Sequence, residues 1–161
     1  MAEPSPIRPA DDEARALARD LLTAARFAAL AVLTPGSGAP SVTRIALGTD
    51  GDGLPLTLIS ALSAHTGALR ADPRAGLLLG EPGPKGDPLA YPRLSLDTEA
   101  AFIDRAGAEH AALRARWLES HPKARLYIDF ADFGFVRFRP LGAALNGGFG
   151  RAFALTPADL R

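Results

Sequence analysis

Between Phe27 and Ser60 the chain sets down three short apolar runs, Phe27–Thr34, Ser41–Gly48 and Leu54–Ser60, separated by clusters of turn-forming residues. The clusters are Pro35-Gly-Ser-Gly38 and Asp50-Gly-Asp-Gly53, both rich in residues that accept positive φ. Runs this short, broken this often by Gly and Pro, suit hairpin-linked strands better than helices. The segment predicts an antiparallel meander, and everything else must pack around it.

Upstream, Pro4, Pro6 and Pro9 make residues 1–10 an expected flexible arm. Asp11, Asp12 and Glu13 then supply the negative first turn that a helix dipole favours, and Ala14, Leu17, Ala18, Leu21, Leu22 and Ala25 recur at helical spacing over 11–26. Downstream, Ser63 opens a short helix that Pro73 ends, and Ala75–Glu81 reads as a fourth strand. The loop Pro82–Pro92 holds four prolines and two glycines. Arg93–Ile103 alternates as a fifth strand, and Gly107–Ser120 forms a second substantial helix with Leu113, Trp117 and Leu118 on its stripe. Phe133–Pro140 and Ala143–Leu155 complete the set as two strands joined around Pro140-Leu-Gly142. The expected fold is mainly β, of the α+β kind: a single domain over 11–161 built on a six- to seven-stranded antiparallel barrel, with an N-terminal helix and one further helix.

Composition removes several functions. Lys plus Arg and Asp plus Glu number 18 each, so no global field draws the chain to nucleic acid or an anionic membrane. There is no cysteine, hence no disulfide, thiolate nucleophile or cysteine-held metal. His65, His110 and His121 are too far apart for a local metal motif, and the latter two read as structural. Gly148-Phe-Gly150 lacks the helix and the acidic residue of a dinucleotide fingerprint, and no G-x-S-x-G elbow occurs. Met1–Pro9 has no signal-peptide pattern and the longest apolar run, Phe27–Leu33, cannot span a bilayer, so a cytoplasmic protein is the expectation.

Two features carry chemistry. Arg44 stands in the middle of the second strand run, where a rigid backbone can aim its guanidinium at a phosphate. Ser60-Ala-Leu-Ser-Ala-His-Thr66 ends a strand and opens a helix, putting hydroxyls, an imidazole and free N–H groups where an anion is favoured. Each also has a plainer reading, an outward arginine and a capped helix with a solvated histidine.

The ordered appearance of Ser41-Val-Thr-Arg-Ile-Ala-Leu47, Leu58-Ile-Ser-Ala-Leu-Ser-Ala-His-Thr-Gly-Ala-Leu69 and Asp72-Pro-Arg-Ala-Gly-Leu-Leu-Leu79 resembles the FMN-binding split barrel of the pyridoxamine 5′-phosphate oxidase superfamily. His121-Pro-Lys-Ala-Arg-Leu-Tyr-Ile-Asp-Phe-Ala-Asp-Phe133 and Asn146-Gly-Gly-Phe-Gly-Arg-Ala152 are similar to its haem-utilisation branch. The resemblance implies FMN in grooves between the two subunits of a homodimer. It assigns the cofactor phosphate to Arg44, His65 and Thr66, with Ser60 and Ser63 close by, and the ring to the backbone of Ile45, Ala46 and Leu47. Arg93 falls where the family has a glutamine or arginine near the ring, and Phe149 and Arg151 match residues reaching the partner's flavin.

The chain departs from the oxidases where their Arg–Lys phosphate pair becomes His65-Thr66, which makes the grip depend on imidazole charge between about pH 6 and 8. No counterpart of the segment that holds pyridoxal phosphate is visible, so vitamin B6 oxidation is not expected. No histidine follows His121, so efficient haem breakdown is not expected either. The reading is an FMN-dependent oxidoreductase for an unidentified small molecule, with no catalytic residue assigned. The alternatives are a flavin- or haem-binding protein without turnover and a dimer whose site is empty.

Overall fold

The structure, a computed structural model, describes residues 6–161. Asp11 caps the first helix, α1 (Asp12–Ala24), by accepting the Ala14 N–H at 2.8 Å, with Asp12 and Glu13 in the first turn as the dipole prefers. The helix lays Ala14, Ala18 and Leu22 on the sheet.

Strands β2 (Phe27–Leu33) and β3 (Pro40–Ala46) form the expected hairpin, in register from Phe27↔Ala46 to Leu33↔Pro40. In β2 the alternation is strict: Ala28, Leu30 and Val32 are buried while Phe27, Ala29, Ala31 and Leu33 face outward. The expected three-strand meander ends there. The chain continues from β3 through the two-residue β4 (Gly48–Thr49) into β5 (Pro55–Ser60), and β5 pairs with β4 and with β8 (Phe133–Asn146), not with β3. No ladder joins β3 to β5, so the sheet is split along that seam.

After β5 come α2 (Ala64–Ala71), β6 (Arg74–Leu79), β7 (Arg93–Phe102) and α3 (His110–Ser120), and β9 (Ala152–Leu155) follows β8. The long path starts from β1 (Ile7–Pro9) and runs β1-β9-β8-β7-β6-β2-β3. Three expectations are corrected. The arm contributes β1 (Ile7–Pro9), which pairs parallel to β9, making the nine-stranded sheet mixed; the remainder of that expectation, residues 1–5, lies outside the described residues. Pro140-Leu-Gly142 does not separate two strands. Gly142 pairs with Asp97 and Pro140 with Thr98, so Leu141 is a one-residue bulge in continuous β8, a position that tolerates the missing proline N–H. And the short helix expected after Ser63 forms as α2, so two helices, α2 and α3, follow α1 rather than one.

Two cores result. The larger fills the barrel around Leu30, Leu47, Leu69, Leu96 and Phe138. The smaller packs α3 on β5 and β8 through Leu56, Leu58, Leu113, Trp117, Ile128 and Phe135. Gly48 lets the two meet, because a Cβ there would lie 3.1 Å from Trp117 Cζ3.

Candidate functional site

Alternation in β3 decides which way its polar side chains point. Ile45 is buried and Thr43 turns to the same side, so Val42 and Arg44 project outward beside Phe27 and Ala29 of β2. The Arg44 guanidinium lies over the Phe27 ring, 5.4 Å from its centroid, and makes no hydrogen bond to any described residue. Ring contact occupies the face of a guanidinium and leaves its in-plane N–H donors unused. They stand at a cavity of about 410 Å³ lined by Phe27, Val42, Thr43, Leu78 and Glu81 besides Arg44 itself. Gly80 closes one end with φ +101°; a Cβ there would come within 2.5 Å of the Pro92 carbonyl oxygen.

Across the seam from β3, α2 brings up His65. Its Nδ1 meets Thr43 Oγ1 at 3.2 Å, while its Nε2 is buried with no partner among the described residues. Burial pushes the imidazole pKa below 6.5, which favours the neutral ring. Ser63 sits at the N-cap of α2 but forms no side-chain cap bond, against the sequence expectation. Thr66 is buried and its hydroxyl donates to the Ser60 carbonyl at 2.7 Å. Ser60 Oγ donates to Asp132 Oδ2 at 2.5 Å and accepts the Leu62 N–H.

In the strand segment after Arg44, Ile45 and Leu47 put their side chains in the core. The Ala46 carbonyl accepts from Thr57 Oγ1 at 2.6 Å and the Leu47 N–H donates to the Arg26 carbonyl at 2.9 Å. Arg93 packs its backbone beside Gly80 but turns its guanidinium to the Leu89 carbonyl, 3.0 Å away. Phe149 is 76% exposed at the tip of the β8–β9 turn, and Arg151 pairs with Glu13 at 2.9 Å. The fold therefore brings His65 to Thr43, with Ser60, Ser63 and Thr66 at the start of α2, turns Arg44 to the opposite face of β3, and leaves His65, Arg93, Phe149 and Arg151 outside the wall of the Arg44 cavity.

Sequence reasoning missed Phe27, Val42, Leu78 and Glu81 as cavity residues. The available signal was the outward phase of β2 and β3, which places Phe27 and Val42 on the face of Arg44. Among the described residues no three His, Asp or Glu side chains are grouped to hold a metal, and no helix is long and apolar enough to cross a membrane.

Comparison with known proteins adds the following. The pyridoxamine 5′-phosphate oxidase family model matches residues 14–145. A solved structure 51% identical covers 95% of this chain and 98% of its own, with a TM-score of 0.86. The structure of a heme binding protein from Mycobacterium smegmatis is 30% identical, with TM-score 0.82, over 99% of this chain and 61% of that one. A curated relative, the chloroplastic non-canonical heme oxygenase HOZ of Arabidopsis thaliana, is 33% identical over 116 residues, 72% of this chain. The chain spans about a third of the length of that plant relative (34%).

Proposed function

This chain belongs to the pyridoxamine 5′-phosphate oxidase family, and on that premise we propose that the Arg44 cavity holds FMN between two copies of the chain, as part of an oxidoreductase acting on a small molecule. The observation that carries the reading is the Arg44 guanidinium, fixed over Phe27 with its in-plane donors unused at the cavity of about 410 Å³. A phosphate there would gain charge-assisted, bidentate hydrogen bonds from a cation already held in place. His65 meets Thr43, whose side chain turns to the opposite face of β3 from Arg44, and it does not line this cavity, so the grip on a phosphate here rests on Arg44. Val42, Leu78 and Phe27 offer apolar surface to a planar ring and keep water from it.

Bound FMN supplies the redox chemistry, and the residues of this chain supply binding, orientation and a dry wall. The second copy is part of the proposal because the outward face exposes apolar side chains that water covers poorly: Val42 is 65% exposed, Leu78 45% and Leu141 47%.

A second reading, haem binding without turnover, is favoured by the two relatives at 30% identity or more whose names carry heme. Arg44 then takes a propionate in place of a phosphate. Against iron ligation, the cavity wall has no His, Cys, Met or Tyr.

One titration separates the readings. The purified protein is titrated with FMN, followed by quenching of flavin fluorescence, and with haemin, followed by its Soret absorbance. Saturable FMN binding that Arg44→Ala weakens supports the first reading; haemin binding without FMN binding replaces it with the second; binding of neither removes both.

A further inference from the structure

We propose a second binding site, apart from the Arg44 cavity, that takes an apolar or aromatic amino acid as its zwitterion, carboxylate on Arg70 and ammonium on Asp132. Residues four apart on a helix share a face, so α2 points Thr66 and Arg70 together into a cavity of about 370 Å³ beside the end of β7 and the start of β8. That volume lies within the range of small-molecule sites.

Arg70 is held there without being used. Its guanidinium lies over the Phe102 ring, 4.1 Å from the centroid, and makes no hydrogen bond or ion pair to any described residue. Stacking restrains a long side chain in advance of a ligand and leaves the in-plane donors for a carboxylate. On the same cavity wall, half-buried Asp132 receives the Ser60 hydroxyl on Oδ2, while Oδ1 has no partner among the described residues. Arg70 and Asp132 carry opposite charges into one cavity and form no ion pair with each other, so a ligand bearing both complementary charges fits between them.

The other charged residues of the wall select against a phosphate. Arg105 is committed to the carbonyls of Phe130, Phe133 and Asp129, and Asp104 Oδ1 accepts the Ala106 N–H at 2.9 Å. Two arginines face two aspartates, leaving no net positive charge to attract a dianion. Ile59, Phe102, Phe133 and Phe135 complete the wall with apolar surface for the ligand's side chain.

The test uses the full chain and L-phenylalanine as the probe, followed by chemical-shift titration up to about 10 mM, the range of weak small-ligand affinity. Phenylacetate, which lacks the ammonium, and phenethylamine, which lacks the carboxylate, are titrated alongside. Arg70 is exposed, so Arg70→Gln retains the fold; it is expected to weaken L-phenylalanine and phenylacetate by about tenfold or more, the scale of one charged hydrogen bond, and to leave phenethylamine unchanged. Asp132→Asn is expected to do the reverse, weakening L-phenylalanine and phenethylamine but not phenylacetate. Arg44→Ala is expected to change none of the three, which keeps this result independent of the flavin titration. Absence of saturable L-phenylalanine binding, equal affinity in Arg70→Gln and wild type, or loss of binding in Arg44→Ala with retention in Arg70→Gln each overturns the proposal.

Discussion

β3 and β5 flank the same seam and draw on similar apolar sequence, yet they finish in opposite surroundings. β5 is buried on both faces because α3 returns over it, setting Leu113 and Trp117 against Leu56 and Leu58 while Thr57 and Ile59 lie toward the barrel and seam. Among the described residues no element returns over the outer face of β3, so Val42 and Arg44 stay exposed and the Arg44 cation keeps its donors. A strand's inner face is settled by its own alternation, whereas its outer face waits on what the rest of the chain brings back. The uncovered face is the one that can serve a ligand or a second copy.

The strongest way to break this contrast is to substitute on the covered side. Phe135 is 1% exposed against Trp117, with ring centroids 5.8 Å apart, so Phe135→Ala is expected to cost about 3–5 kcal/mol in urea unfolding. A loss below about 1 kcal/mol would mean that α3 does not seal β5 as described. On the open side the cost moves from folding to binding. Arg44→Ala is expected to weaken FMN by about 1.5–3 kcal/mol while leaving the unfolding midpoint near wild type. An unchanged FMN affinity would remove Arg44 from the cofactor site.

Val42→Lys sharpens the comparison further. At 65% exposure it is expected to shift the stability of a single chain by no more than about 0.5 kcal/mol. If the outer face is the proposed dimer surface, sedimentation should nevertheless show the variant mass falling toward one chain. A wild-type protein that already sediments as one chain would end the dimer proposal.

The smallest expected effect concerns the seam. Burial holds the folded His65 pKa below 6.5, so the unfolded chain takes up the proton first as pH falls. His65 therefore contributes no penalty at neutral pH and a growing one as pH drops from about 6.5 through the lowered folded value. Wild type should lose stability relative to His65→Gln only in that window, read from paired thermal melts. The same depression moves any influence of imidazole charge on FMN affinity toward lower pH than the sequence alone suggests. Parallel curves down to pH 5 would show that the ring is solvated.

The elements whose signals are local were legible in the sequence. Three acidic residues ahead of an apolar helical stripe mark α1, and Pro35-Gly-Ser-Gly38 marks the β2–β3 turn. The resemblance in motif order led to the split barrel. The signals that failed were those whose meaning depends on distant partners. Pro140 reads as a strand end, but pairing with β7 over ten residues holds β8 continuous and confines the proline to a bulge. Ile7–Pro9 is a strand only because β9 lies beside it.

By itself the sequence determined the periodicities, the turns, the helix start and which side chains were chemically able to grip an anion, because those depend on neighbours within a few residues. Tertiary structure alone decided which of those side chains remain available. Thr66 and Ser60 spend their hydroxyls on a carbonyl and on Asp132, and Arg93 and Arg151 turn to Leu89 and Glu13. Arg44 keeps its donors because no element of the described residues folds back over its face of β3. A hydrogen-bonding group serves either the fold or a ligand, and which it serves is settled only when residues far apart in the chain meet.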